Sequence, residues 1–80
     1  MPIENLSKIR FQCRRGMSEL EEILYPFFDN YFTQLNEDRQ QDFIHLLTLE
    51  DTELWDWLVV QQTKPSLKYE EIVRIIRDAT

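Results

Sequence analysis

Glycine, cysteine and histidine each occur once in the eighty residues, as Gly16, Cys13 and His45. A lone cysteine closes no internal disulfide and anchors no multi-cysteine zinc site, so a reducing compartment is expected. A lone glycine cannot build the loop in which backbone meets a dinucleotide pyrophosphate. His45 has neither a second histidine nor a patterned carboxylate beside it, which leaves no metal centre or catalytic triad to propose. A thiolate nucleophile needs a base and an electropositive, accessible position; Cys13 is instead expected on an apolar helix face. The longest apolar stretches, such as Trp57 to Val60, fall far short of the roughly twenty residues of a membrane span. Glu4 interrupts the N-terminal segment, and no secretory signal or transit peptide is visible. The expectation is a cytoplasmic chain, not inserted in a membrane and not an enzyme, with no catalytic, metal or cofactor site of its own.

Hydrophobic residues make up 42% of the chain and aromatics 12%, too much for a disordered tail and enough for one domain over residues 1–80. A domain of this size buries about two-thirds of the surface its unfolded chain exposes. Every large apolar residue is therefore first a candidate for the core. Fifteen acids against nine bases give a net charge of -6, unevenly spread. From Met1 to Arg15 there are four bases and one acid, a net +3, against five bases and fourteen acids, a net -9, in the remainder. The acidic bulk would repel phosphate, and four bases form no long interleaved patch, so nucleic acid is not an expected partner.

Helical periodicity runs throughout and no strand alternation is long enough for a sheet. A first helix is predicted over Leu6 to Arg15, with Leu6, Ile9 and Cys13 on one face and Gly16 as a left-handed cap. Ser18 and Glu21 have capping-box spacing for a second helix. Its apolar positions Leu20, Ile23, Leu24, Phe27, Phe28, Tyr31 and Leu35 recur at steps of three and four. Pro26 either kinks that helix or divides it. Asn36 is the expected cap of a third helix with Phe43, Ile44, Leu46 and Leu47 on its apolar face. Asp51 or Thr52 would cap a fourth, carrying Leu54, Trp55, Trp57, Leu58 and Val59, before Pro65 forces a break. Ser66 opens the last, with Ile72, Val73, Ile75 and Ile76 inward. The fold class is all-α, a compact five-helix bundle of short helices.

Two local features invite a binding role. Phe11 lies away from the Leu6, Ile9 and Cys13 face and is flanked by Arg10, Arg14 and Arg15, the make-up of an interface hot spot. Packing of Phe11 on a neighbouring helix, with the arginines serving the C-terminal dipole, accounts for the same pattern. Arg15-Gly16-Met17-Ser18-Glu19 is an R-G-x-x-E turn between two helices, each part of which is also explained by capping.

Ile9 to Leu20, Pro26-Phe27-Phe28, Phe43-Ile44 with Leu46-Leu47, Asp51 to Leu58 and Lys64-Pro65 occur in the order and at the separations of the SdhE (YgfY) family of succinate dehydrogenase FAD assembly factors, which the chain resembles over nearly its whole length. The resemblance implies a five-helix chaperone that binds the flavoprotein subunit of succinate dehydrogenase, or of fumarate reductase, and promotes covalent attachment of FAD to a histidine of that subunit. It implies no stably bound cofactor and a monomer when free. Arg15, Gly16 and Glu19 fall on the family signature, Arg14 and Met17 within it, and Phe11 where the family also tends to carry an aromatic. These six residues are the expected partner-binding site. Ser18 stands where family members often carry a base. The other reading that such a resemblance carries is an antitoxin-type regulatory binding protein with no flavoprotein role.

Overall fold

In the computed structural model, residues 6–80 are described; Glu4, the one acid of the basic N-terminal segment, lies outside them. The described residues form an all-α bundle. The helices are α1 (Leu6–Gln12), α2 (Ser18–Tyr31), α3 (Glu37–Leu46), α4 (Asp51–Trp55) and α5 (Leu67–Ala79). A 3-10 turn over Phe32–Gln34 follows α2, and a π-helical turn over Asp56–Val60 extends α4. Within the bundle α2 packs on α4, the π turn and α5, and α3 packs on α5.

The core is aromatic at its centre. Phe27, Phe32 and Phe43 are buried with ring centroids 5.4 to 5.6 Å apart where they face Phe43, and Phe28 stacks on Phe32 at 4.9 Å. Such tilted and offset arrangements suit the ring quadrupole and add to the burial of area. Leu20, Leu24, Leu46, Leu54, Ile72, Val73 and Ile76 complete it with no solvent exposure. The predicted inward stripes of α2 and α5 are therefore correct in their main positions. Ile23 and Ile75 are only half-buried, and Tyr31, predicted inward on α2, is exposed.

Pro26 does not divide α2, which runs unbroken from Ser18 to Tyr31. Proline removes the amide that would bond the Glu22 carbonyl. Both Glu22 and Pro26 are exposed, so water can replace that bond. The helix stops at Tyr31, where the chain tightens into the 3-10 turn before Leu35 is reached. Asn36 caps α3 as expected, its side-chain oxygen accepting from the Arg39 amide at 2.9 Å. Asn36→Ala is expected to cost about 1 kcal/mol, read as a fall in thermal midpoint of about 4–8 °C.

Three cap predictions are corrected. Ser18 is the first helical residue of α2, whose N-cap is Met17, and no capping box forms. Asp51 is likewise the first residue of α4, whose N-cap is Glu50, and Thr52 follows it inside the helix. In both cases the carboxylate of the predicted cap region is used elsewhere. Gly16 is not a left-handed cap, because Gln61 alone among the described residues has a positive φ. Helix α1 ends three residues before Arg15: Cys13 and Arg14 donate to the Arg10 and Phe11 carbonyls, both at 3.0 Å. These are i to i-3 bonds, which close the last turn without a glycine.

The π turn leaves the Trp57 carbonyl to a distant donor. Arg77 of α5 donates to it from Nε at 2.8 Å and Nη2 at 2.6 Å. Gln61, at φ 60, closes the turn by donating its amide to the Asp56 carbonyl at 2.6 Å. Trp57 rests against Tyr69 with centroids 5.9 Å apart, so the bulged segment is anchored to α5 by both a cation and a ring.

Candidate functional site

Helix α1 joins the bundle through a narrow seam. Ile9 and Cys13 are buried there, whereas Leu6, predicted on the same face, is 39% exposed. Arg10 pairs with Asp29 of α2 through Nε at 2.8 Å and Nη2 at 3.0 Å and lies over the Tyr25 ring at 4.7 Å. The hydrogen bond to the Arg10 guanidinium holds the Asp29 carboxyl below its ordinary range. Both partners are exposed, and such a pair orients α1 more than it stabilises the fold.

Cys13 is fully buried and donates its thiol to the Ile9 carbonyl at 3.8 Å. Burial pushes its pKa from the ordinary 9.0 up to about 12, against the weaker opposing pull of Arg15 and Arg10. A thiol that stays protonated and covered is inert. Alkylation by iodoacetamide at pH 8 is expected only after denaturation, and native labelling at the rate of a free thiol would contradict that burial. Because the folded-state pKa is the higher one, this group's contribution is complete below pH 9 and is lost as pH rises from about 9 to 12.

Beyond Arg14, whose amide closes the last turn of α1, the chain turns through Arg15 and Gly16 into α2. Two carboxylates hold its amides. The Arg15 amide donates to Glu21 Oε2 at 2.7 Å, and the Gly16 amide donates to Asp51 Oδ2 at 3.1 Å. The Arg15 side chain points inward, 11% exposed. It reaches the segment between α3 and α4, donating from Nη1 to the Leu49 carbonyl at 3.2 Å and to Asp51 Oδ1 at 3.3 Å, and from Nη2 to the Leu47 carbonyl. Its Nε is buried without a partner. One planar fork thus satisfies two loop carbonyls and a carboxylate, a task a lysine cannot perform.

Of the other five candidate residues, four are exposed. Phe11 is 66% exposed, and Arg14, Gly16 and Glu19 are exposed as well. Met17 is partly buried against the core and fixes the turn from beneath. The structure therefore brings the six sequence candidates to one connection and separates them by role: Phe11, Arg14, Gly16 and Glu19 present themselves to solvent, while Arg15 and Met17 hold the turn. At that exposure Phe11 is not covered by a neighbouring helix among the described residues, the alternative open in the sequence.

Gly16 has no conformational reason to be glycine. Its φ is not positive, and a Cβ there would meet Asp51 Oδ2 at 3.5 Å, an ordinary contact. Asp51 and Glu21 are the functional-site residues that sequence reasoning missed. Their places at the starts of α4 and α2 suggested only capping roles. No spacing rule links Asp51 to a turn 35 residues earlier.

Among the described residues no other cluster offers competing chemistry. His45 is exposed, and among the described residues no group of His, Cys, Asp and Glu could hold a metal ion. A cleft of about 220 Å³ lies between α2 and α5, lined by residues such as Pro26, Phe27, Tyr31 and Ala79, with none of the six candidates in its wall. Among the described residues no helix is long and apolar enough to cross a membrane.

The chain is similar to known proteins over most of its length. A family model described as "Flavinator of succinate dehydrogenase" matches residues 7–80. A protein of Haemophilus ducreyi called FAD assembly factor SdhE is 40% identical over 73 residues, which are 91% of this chain and 89% of that protein. Proteins of the same name from Vibrio vulnificus and Shewanella oneidensis are 37% and 35% identical over 70 and 77 residues. Those alignments cover 88% and 96% of this chain and 81% and 94% of the relatives.

Proposed function

Because the chain belongs to the family of flavinators of succinate dehydrogenase, we propose that it binds the flavoprotein subunit of succinate dehydrogenase, or of fumarate reductase, in the cytoplasm and promotes covalent attachment of FAD to a histidine of that subunit. The observation that carries the docking site is Gly16. It is exposed, it lies outside the left-handed region, and it has room for a side chain, so nothing inside the chain requires glycine there. A partner backbone or cleft approaching the turn closely would require it.

The chain acts in this reading as a monomeric chaperone rather than an enzyme. It contributes neither a nucleophile nor a phosphate loop, and it holds no FAD of its own. Its work is to keep the apo-subunit in the domain arrangement that is competent for attachment and to orient charge near the reacting flavin. Arg14 is the outward cation of the site and pairs with a partner carboxylate; Glu19 accepts hydrogen bonds from basic groups of the partner. Phe11 supplies the apolar anchor, its ring already presented to solvent. Arg15 serves the same surface from below, by holding the turn that presents Gly16.

Co-purification tests the partner. A tagged chain is expected to bring down the flavoprotein subunit from cells that express it. Recovery of a small toxin or a cytoskeletal protein in its place would support the antitoxin-type reading instead.

A further inference from the structure

We propose that Asp51 is a positioning residue for partner docking: it pins the Gly16 backbone in the conformation that the flavoprotein subunit receives. The inference rests on the docking role of the turn proposed above. A glycine has no side chain by which the fold can grip it, and its backbone is the freest of any residue. In this turn the Gly16 amide is held by Asp51 Oδ2 at 3.1 Å, while the other oxygen of the same carboxylate takes Arg15 Nη1 at 3.3 Å. One carboxylate on the first turn of α4 thus couples two consecutive turn residues to a helix 35 positions away in sequence.

The neighbouring bonds do a different job. Glu21 holds the Arg15 amide, and the Leu47 and Leu49 carbonyls hold the Arg15 side chain. Removing the Asp51 carboxylate leaves these intact and the bundle assembled, but frees the Gly16 amide. Ordering that segment is then deferred to the moment of binding, which lowers affinity. Asp51→Asn is the appropriate change: it keeps the size of the side chain and one carbonyl oxygen, which the charged Arg15 guanidinium takes as the stronger donor, so that the Gly16 amide faces an NH2 that cannot accept.

The test is calorimetric titration of the FAD-free flavoprotein subunit with wild-type chain, Asp51→Asn and Gly16→Arg, at a temperature where circular dichroism shows each fully folded. Amide hydrogen exchange at Gly16 is measured on the free chains. Asp51→Asn is expected to bind about tenfold more weakly while its Gly16 amide exchanges faster than in the wild type. Wild-type affinity in Asp51→Asn overturns the positioning role, as does weakened binding with unchanged Gly16 exchange. If Asp51→Asn does not fold, Asp51→Ser is titrated in its place; failure of both to fold assigns Asp51 to folding and overturns the proposal. Should the wild type not bind the subunit, or Gly16→Arg bind as well as wild type, the docking reading itself falls and takes the positioning role with it.

Discussion

Replacing Arg15 with leucine is expected to lower stability by about 3 kcal/mol, because hydrogen bonds from a charged donor contribute about 1.5–3 kcal/mol each and the groups left behind stay unsatisfied. The Leu47 and Leu49 carbonyls and the Asp51 carboxylate all lose a donor at once, at a side chain only 11% exposed. Leucine cannot repair the loss, since it offers those oxygens nothing. A chain of this size has only about 4–12 kcal/mol in hand, so the thermal midpoint should fall by about 12–24 °C. Arg15→Lys should recover little, because one ammonium cannot span two carbonyls and a carboxylate in the geometry of the fork. A variant with an unchanged midpoint would mean that the guanidinium is not engaged inside the fold and is available to a partner directly.

Gly16→Arg has the opposite signature: the fold survives and docking fails. The Cβ fits at 3.5 Å from Asp51 Oδ2, and φ is in the range that side chains adopt. The reduced freedom of the unfolded chain offsets part of any local crowding. The thermal midpoint is therefore expected to stay within about 4 °C of wild type. On the outer surface the new side chain occupies the space that the partner must enter, and binding to the flavoprotein subunit should drop by at least about a hundredfold, the scale of a hot-spot loss. Helical circular dichroism together with calorimetric titration separates the two effects. Loss of the helical signal would return Gly16 to a folding role.

The contrast between these two neighbours was only half legible in the sequence. Local relations were visible: Asn36 and the amide it caps are three residues apart, and the stripes of α2 and α5 repeat at the helical period. Relations across the fold were not. The clamp on Arg15 and the grip on Gly16 depend on Asp51 and on the carbonyls of Leu47 and Leu49, more than thirty residues downstream. The Ser18 and Asp51 cap predictions failed for a related reason, since a helix start specifies an acceptor without saying which donor will take it. The π turn was also hidden, because its Trp57 carbonyl is satisfied by Arg77 from another helix. Exposure of Phe11 was foreshadowed by the helical wheel and needed only the absence of a covering neighbour.

A flavinylation role is read from covalent flavin on the succinate dehydrogenase flavoprotein subunit, seen as in-gel fluorescence. The comparison is between cells with this chain, cells without it, and cells in which Gly16→Arg replaces it at equal abundance. A flavinylation role predicts a fluorescent subunit in the first, a sharp loss in the second, and no restoration by the variant. Equal fluorescence in all three would argue against it, and the exposed Phe11, Arg14, Gly16 and Glu19 would then have to serve a different partner.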